Sequence, residues 1–221
     1  ASDFSEGLAK VMRNDNSYFI DVHGQELFSC DYYNTGLFHD GLAAIQMERK
    51  LGYINKNGKV VIPCQYDCDD CWFSVWENGK YDFSEGLAAV KKESSWGYIN
   101  TQGEVVIPIK FSDAYKFNEK MAIVGTPSDT PVVYSEPTPD CRNVGVIDMN
   151  EKIISPFGKY FLYNDDYMDI HQIIVSEGLI KILKEHSEEI GLVDTKGKIV
   201  VPYKYDSVEN FSCGVAFVKY D

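Results

Sequence analysis

The chain has 221 residues, 44% of them hydrophobic, and 34 acidic against 21 basic residues give it a formal charge of −13. This composition is that of a globular protein or a repeat array, and it has no run of about 20 apolar residues, the length that crosses a membrane. The acidic balance disfavours nucleic acid and anionic membranes as partners, because binding to phosphates needs clustered lysine and arginine. It favours attraction to a basic protein.

One segment is repeated along the chain. Residues 83–90 read Phe-Ser-Glu-Gly-Leu-Ala-Ala-Val, and they are followed by Trp-Gly-Tyr-Ile-Asn at 96–100 and Val-Val-Ile-Pro at 105–108. A fixed internal spacing predicts a repeat protein, whose stacked copies form extended surfaces more naturally than one deep pocket. The Gly of the second segment and the closing Pro are eleven positions apart in four places: Gly52 and Pro63, Gly97 and Pro108, Gly145 and Pro156, Gly191 and Pro202.

This spacing predicts a single repeat domain over residues 1–221, made of five repeats and a half repeat. In the first, diverged repeat, Tyr18 occupies the Gly slot and Ser29 the Pro slot. Two insertions interrupt the pattern, at 68–80 and at the proline-rich residues 125–143, and the second has the composition of a loop. The repeats begin near residues 4, 38, 83, 117, 175 and 211.

Each repeat is predicted to form three short antiparallel strands and no helix, because no 3.6-residue period is sustained. Between the second and third strands, a leading Asn or Asp such as Asn100 is expected to bond its own backbone two residues on. A glycine such as Gly103 is expected to supply a positive φ there. Where Glu151 replaces that glycine, Asn150 is expected to take the left-handed conformation. A proline such as Pro108 is expected to end the third strand.

The Gly-x-[Ile/Val]-[Asn/Asp]-x-x-Gly and Val-Ile-Pro pieces together resemble the WG (also KWG) repeat family, a bacterial β-rich repeat named for its Trp-Gly step. The resemblance covers nearly the whole chain outside the two insertions, although the Trp of that step survives only at Trp96. It implies antiparallel β repeats, a binding or scaffolding role, and no catalytic residues.

The sequence predicted to form the first strand of a repeat occurs near both ends of the chain, beginning at Phe4 and at Phe211. Such ends do not complement one another as the strands of a closing propeller blade would. The sequence therefore favours an all-β, open, solenoid-like array of three-stranded antiparallel repeats, with a propeller-like ring as the alternative.

The cysteines support several hypotheses. Cys30 and Cys64 follow equivalent Pro slots and are interpreted as small buried residues, with a disulfide as the alternative. Cys64, Cys68 and Cys71 could hold a soft metal, or Cys68 and Cys71 could act as a redox pair. A structural zinc site usually needs four ligands, and a thioredoxin-like site needs a βαβ setting, so we predict no metal and no cofactor.

Two segments rich in aromatic and acidic residues supply candidate binding residues. Trp and Tyr are enriched at interface hot spots, and aromatic rings among carboxylates could stack on sugars or bind a cationic ligand. The alternative is that these rings cover a neighbouring repeat or lie under an acidic rim. The candidates are Asp69, Asp70, Trp72, Phe73, Trp76, Tyr81, Tyr163, Asp165, Asp166 and Tyr167.

An acidic residue also recurs at the same position of each of the five repeats, just before a glycine in four of them and before Lys120 in the fourth repeat. Because these residues recur with the repeat, a carboxylate that accepts backbone N–H bonds at a turn explains them better than a catalytic row. They are Glu6, Asp40, Glu85, Glu119 and Glu177.

The sequence shows no acid–base pair and no nucleophile constellation, so we predict no catalytic residue and no enzyme. It predicts a non-catalytic scaffold that binds another, basic protein through an extended acidic surface, as an inhibitor or immunity-type partner. The alternative is a carbohydrate or cell-envelope binding module that uses the exposed aromatic residues.

Overall fold

Antiparallel β-strands form the described part of the chain, which contains no helix. It therefore holds no helix long and apolar enough to cross a membrane. The chain divides into an N-terminal half, Ala1–Lys110, and a C-terminal half, Phe111–Asp221. The computed structural model describes residues 2–13, 16–30, 32, 34–68, 79–125, 144–155, 161–162, 174–175, 177–183, 189–209 and 211–220.

Ten strands begin in the N-terminal half: β1 (Leu8–Arg13), β2 (Asn16–Asp21), β3 (Glu26–Ser29), β4 (Asn34–His39), β5 (Leu42–Met47), β6 (Lys50–Asn55), β7 (Val60–Asp67), β8 (Leu87–Lys92), β9 (Ser95–Asn100) and β10 (Val105–Phe111). Strands β1 to β3 form one sheet, and β4 to β10 form a second sheet in chain order. Because β7 and β8 pair only at Asp67 and Lys91, the second sheet consists of two blocks that correspond to successive repeats.

Ten further strands lie in the C-terminal half: β11 (Met121–Gly125), β12 (Val144–Asp148), β13 (Ile153–Ser155), β14 (Phe161–Leu162), β15 (Ile174–Val175), β16 (Leu179–Leu183), β17 (Ile190–Asp194), β18 (Ile199–Tyr205), β19 (Ser207–Val208) and β20 (Val218–Lys219). They form a β11-β12-β13 sheet, a β14-β16-β17-β18 sheet with β15 also on β16, and a β19-β20 hairpin.

The repeated text folds in the same way in both halves. The three strands predicted for each repeat form four consecutive sets: β5 to β7, β8 to β10, β11 to β13 and β16 to β18. Every described sheet is open at both edges rather than closed into a barrel. The prediction of an all-β, open set of tandem antiparallel repeats is confirmed. Whether the sheets follow one another along a line or around a ring stays a prediction.

The turn between the second and third strands forms as predicted. Oδ1 of Asn100 accepts hydrogen bonds from the backbone N–H groups of Gln102 and Glu104, both at 3.0 Å. Gly103 has a φ of +81°, which a residue without Cβ adopts at little cost. The leading residues Asn55, Asp148 and Asp194 make the same pair of bonds. A few adjacent residues therefore define this turn.

The prediction for the turn without glycine was wrong. Glu151 itself has a φ of +64°, and Asn150 has no positive φ. The N–H of Glu151 donates to the carbonyl oxygen of Asp148 at 3.0 Å, and Oδ1 of Asp148 holds the N–H groups on either side of Glu151. These bonds fix the backbone shape, so the left-handed position stays at the last turn residue whichever side chain stands there.

The prediction that proline ends the third strand was also wrong, because β10 continues through Pro108 to Phe111. The equivalent strand β7 has a bulge at this point: Tyr53 pairs with Ile62, whereas Leu51 pairs with Tyr66. A bulge leaves backbone groups outside the ladder, and a proline is tolerated there because its missing N–H is not needed.

The opening phenylalanine of a repeat packs into the repeat before it. The ring of Phe38 meets the ring of Phe19 on β2 edge-on at 5.0 Å, and Phe83 meets Tyr53 on β6 in the same manner at 4.8 Å. All four side chains are at most 2% exposed. Edge-to-face aromatic contacts add about 1 kcal/mol to the area that they bury. This contact joins successive repeats.

Candidate functional site: the turn acids

Carboxylates that recur in the repeats also connect one repeat to the next. The five acidic residues at this position, which we call the turn acids, are Glu6, Asp40, Glu85, Glu119 and Glu177. Each lies in a tight turn of the kind seen at Ser5–Leu8, where the N–H of each end residue donates to the carbonyl of the other at 2.8 and 3.0 Å. Both central residues, Glu6 and Gly7, have positive φ, at +49° and +86°. That is the backbone of a type I′ turn, the shape that matches the twist of two flanking strands.

Four of these carboxylates, those of Glu6, Asp40, Glu119 and Glu177, bind the next repeat rather than their own. Oε2 of Glu6 accepts the N–H of Gly41 at 3.0 Å, and Oδ2 of Asp40 accepts the N–H of Gly86 at 2.7 Å. Because Gly41 follows Asp40 and Gly86 follows Glu85, each bond brings one turn acid beside the next. The N-terminal half therefore presents Glu6, Asp40 and Glu85 in a row.

The C-terminal half repeats this arrangement. Glu119 accepts the N–H groups of Glu177, at 2.7 Å, and of Gly178. Oε1 of Glu177 accepts the N–H of Gly214 at 2.9 Å. Cys213 occupies the acidic position of this last turn with a φ of +53°. The sequence-based prediction of carboxylates that accept turn N–H groups is confirmed, but residue spacing could not indicate that the donors belong to the following repeat.

Charge keeps the first turn acid ionised. Nζ of Lys56 lies 3.1 Å from Oε2 of Glu6 and also donates to the Glu6 carbonyl at 3.0 Å. Burial raises the pKa of Glu6, but the hydrogen bonds from Lys56 and from the Gly41 N–H outweigh it, so the pKa lies below its ordinary value of 4.5. All five turn acids remain exposed to solvent.

A further carboxylate joins β7 to β8 in the seven-stranded sheet. Asp67 accepts hydrogen bonds from Nζ of Lys50 and from the backbone N–H of Glu93. The Lys50 hydrogen bond, and less strongly the Glu93 N–H, holds the pKa of Asp67 below its ordinary value of 3.8. Asp67 therefore stabilises the point where the two blocks of the sheet meet.

Acid is expected to destabilise the fold through Glu6 and Asp67. Their pKa values are lower in the folded than in the unfolded chain, so their stabilisation is complete above the unfolded values and is lost as pH falls through the folded ones. The urea midpoint is expected to change little from about pH 7 to 5 and to fall below about pH 4.5. Glu6→Gln removes one titrating group, so its fall should be shallower than that of the wild type. An equal fall in both proteins would contradict this role of Glu6.

Most of the sequence-predicted binding residues lie outside the described residues: Asp69, Asp70, Trp72, Phe73, Trp76, Tyr163, Asp165, Asp166 and Tyr167. Tyr81 is described, and it is only 2% exposed, with its ring stacked on Trp96 at 6.2 Å between centroids. Its carbonyl oxygen accepts the buried hydroxyl of Tyr53 at 2.9 Å. Tyr81 is therefore not an exposed binding residue. It packs against neighbouring residues of the repeats, which is the alternative that the sequence had left open.

Two of the four described cysteines, Cys30 and Cys68, are buried, whereas Cys64 is half-buried and Cys213 is exposed. Cys30, Cys64 and Cys213 are free thiols, and Cys64 packs against the core cluster that contains Cys30. Burial raises the pKa of the Cys64 thiol, which lowers its reactive thiolate fraction. Cys71, the third member of the metal and redox hypotheses, lies outside the described part of the chain. Within that part, no three His, Cys, Asp or Glu side chains gather as a metal site would require.

The sequence matches the family model described as "WG containing repeat" at residues 19–50, 52–67, 78–94, 96–125 and 190–221. These segments make up more than half of the 221 residues. The chain belongs to the WG repeat family. The resemblance inferred from the Gly and Pro spacing is confirmed, and the glycine of the WG step is the residue that lies opposite the bulge in β7.

No curated protein matches the sequence of this WG repeat protein, and the solved structures that match it do so at low identity and with TM-scores below 0.5. A eukaryotic initiation factor is 11% identical with a TM-score of 0.47, and Hsv2 of Kluyveromyces lactis is 10% identical with a TM-score of 0.41. The matches cover 91% and 90% of this chain but only 64% and 61% of those two, less than two thirds of their length. A protein of unknown function from Bacteroides caccae is 12% identical over 88% of this chain and 77% of its own, with a TM-score of 0.34.

Proposed function

We propose that this WG repeat protein is a non-catalytic scaffold that binds a basic protein through the turn acids, as an inhibitor or immunity-type partner. One observation carries the proposal: all five turn acids are exposed, and four of them, Glu6, Asp40, Glu119 and Glu177, are held by hydrogen bonds to the backbone of the next repeat. Side chains already ordered before binding lose little conformational entropy when a partner arrives.

Electrostatics supports the same class of partner. The formal charge of −13 attracts a basic protein over long range and raises the rate of encounter. A carboxylate that accepts one backbone N–H still has lone pairs for a lysine or arginine. Such a complex is expected to associate more slowly as salt rises, because salt screens exposed charges.

The carbohydrate-binding alternative depends on exposed aromatic residues. Its main candidates lie outside the described residues, and the described one, Tyr81, is buried. No described member of its candidate set is exposed, so this alternative serves as a rival outcome of the experiment.

Amide substitutions separate the charge of the turn acids from their structural role. The triple variant Glu6→Gln, Asp40→Asn and Glu85→Gln keeps a carbonyl oxygen for each backbone N–H but removes three negative charges. The matched control, Asp3→Asn, Glu48→Gln and Glu93→Gln, changes three other exposed acids of the same half and gives the same net charge. Both triple variants are expected to keep the wild-type circular dichroism spectrum.

The measurement is a pull-down from lysate and envelope fractions at about 0.05 and 0.5 M salt, followed by mass spectrometry and binding kinetics. We expect a basic protein that the wild type and the control triple retain at low salt, and that high salt or the turn-acid triple releases. Equal retention by both triples would reject the turn acids as the binding surface. Retention of glycan with no protein, insensitive to salt, would replace the proposal by the carbohydrate module.

A further inference from the structure

The third strand of each repeat in the N-terminal half begins with apolar side chains that face solvent. Val60 and Val61 at the start of β7 are 40% and 39% exposed, and Val105 and Val106 at the start of β10 are 50% and 45% exposed. In the first repeat Leu27, which is 44% exposed, occupies the position of Val61. We call these five residues the apolar row. Exposed apolar groups that adjoin one another and are bordered by polar residues mark interaction surfaces.

Contacts between successive repeats bring the members of the apolar row beside one another. A Cβ built on Gly58, in the turn before β7, would lie 2.6 Å from the ring of Phe28 on β3. A Cβ built on Gly103, in the turn before β10, would lie 3.3 Å from the side chain of Ile62 on β7. Each turn therefore lies on the third strand of the repeat before it, and the exposed apolar residues that follow the turn continue the row.

The apolar character of these positions recurs between repeats, whereas the character of an exposed neighbour does not. The residue just before the exposed pair is Lys59 in one repeat and Glu104 in the next. The C-terminal half has apolar residues at the same positions, and Ile153, Ile199 and Val200 are 52%, 42% and 45% exposed there. Threonine forms strands as readily as valine does, so strand formation alone does not require apolar residues at these positions. Their recurrence therefore indicates a contact.

The backbone at these positions is poorly suited to pairing with an added strand. Pro63 and Pro108, two residues after the exposed pairs, are themselves exposed and have no N–H to donate. Strand β7 is also bulged next to Val61. Prolines and bulges at a sheet edge oppose the addition of a further strand. A partner of the apolar row is therefore recognised through its side chains.

The turn acids lie at the same end of the sheet as the apolar row. Leu42, two residues after Asp40, pairs with Asn55. The N–H of Asn55 donates to the carbonyl oxygen of Lys59 at 2.9 Å, one residue before Val60. Neighbouring strands lie about 5 Å apart, so the start of β5 and the start of β7 are separated by about 10 Å. The end of the sheet thus presents carboxylates beside apolar side chains.

We propose that the apolar row and the turn acids of the N-terminal half together bind a basic amphipathic segment of the partner protein. Its lysine or arginine residues contact the carboxylates, and its apolar side chains contact the valines. Charge complementarity selects this occupant, because the carboxylates repel an acidic segment, an anionic membrane and a second copy of this chain, whose formal charge is −13. Burial of the apolar row adds affinity that salt does not screen. The inference rests on the proposed function for the role of the turn acids, and the apolar row is its addition.

The test uses the full chain and two fluorescent peptides of about twelve residues, which in extended form span about 40 Å. Lysine alternates with leucine in one peptide and with serine in the other. Fluorescence anisotropy is expected to show that the lysine–leucine peptide binds about tenfold more tightly than the lysine–serine peptide, and that this preference persists at about 0.5 M salt.

The variants separate the apolar row from the rest of the surface. The double variant Val61→Thr and Val106→Thr keeps the β-branched shape, and it should lose the preference for leucine while it binds the lysine–serine peptide as the wild type does. The matched control is Met12→Thr and Met47→Thr, which changes two exposed residues at the other end of the strands and should keep the preference.

Three results would overturn the apolar row as a binding surface. They are equal binding of both peptides to the wild type, an unchanged preference in the valine double variant, and sedimentation of the protein alone as a dimer that this double variant dissociates. The proposed function fails by a different result, in which the turn-acid triple variant binds the lysine–serine peptide as tightly as the wild type does. Urea denaturation of each variant checks that its fold is intact.

Discussion

Replacing Gly97 by alanine is expected to lower the free energy of unfolding by about 3 kcal/mol. A Cβ built on Gly97 would lie 2.7 Å from the carbonyl oxygen of Ile107 and 2.7 Å from Cα of Ile109. Both are backbone atoms of β10, the third strand of this repeat, and they cannot move aside as the end of a side chain can. The measurement is urea denaturation followed by circular dichroism and tryptophan fluorescence.

The equivalent glycines give a graded control. A Cβ on Gly52 would lie 2.7 Å from the backbone nitrogen of Cys64, so Gly52→Ala should be as harmful as Gly97→Ala. At Gly191 the nearest backbone atom is 3.0 Å away and the other contacts are to the ring of Tyr203, so Gly191→Ala should cost only about 1 kcal/mol. Equal effects at all three glycines would contradict the proposed clash with the bulge.

Phe38→Ala is expected to destabilise the N-terminal half by about 4 kcal/mol. The ring of Phe38 is 1% exposed and lies 5.0 Å from that of Phe19, which in turn stacks on Phe28 at 5.2 Å. Its removal leaves a cavity between two repeats that relaxation of the backbone does not fill. Urea denaturation gives the loss, and a double-mutant cycle with Phe19→Ala should give a coupling energy of about 1 kcal/mol.

Phe217→Ala is the matched control for this substitution. The Phe217 ring is 82% exposed, so the same change of side chain should alter stability by no more than about 0.5 kcal/mol. Phe38→Leu, which keeps most of the buried volume, should cost about 1 kcal/mol. Similar losses for Phe38→Ala and Phe217→Ala would show that Phe38 does not join the repeats.

Local features of the fold could be predicted because a few neighbouring residues determine them. The side chain of Asn100 and the glycine three positions later are sufficient to define their turn. The first strand of the β4–β5 hairpin was missed, because residues 34–37, most of this strand, precede the repeated segment from which the strands were predicted. The continuation of the third strand past its proline was missed as well. Pro108 alone indicates the end of a strand, and only the pairing of β10 with β9 shows that the strand continues.

The sequence by itself predicted the family and the all-β class, and it contains the regular spacing of the repeated segment and the net acidic charge. These properties can be read from the sequence because the repeated segment recurs at a fixed spacing and each copy can be compared with the others. Only the tertiary structure decided which repeat Glu6, Asp40, Glu119 and Glu177 bind, and that Tyr81 is buried. These facts depend on contacts between segments such as Asp40 and Gly86, 46 residues apart, and local sequence carries no record of which distant backbone group lies opposite a side chain.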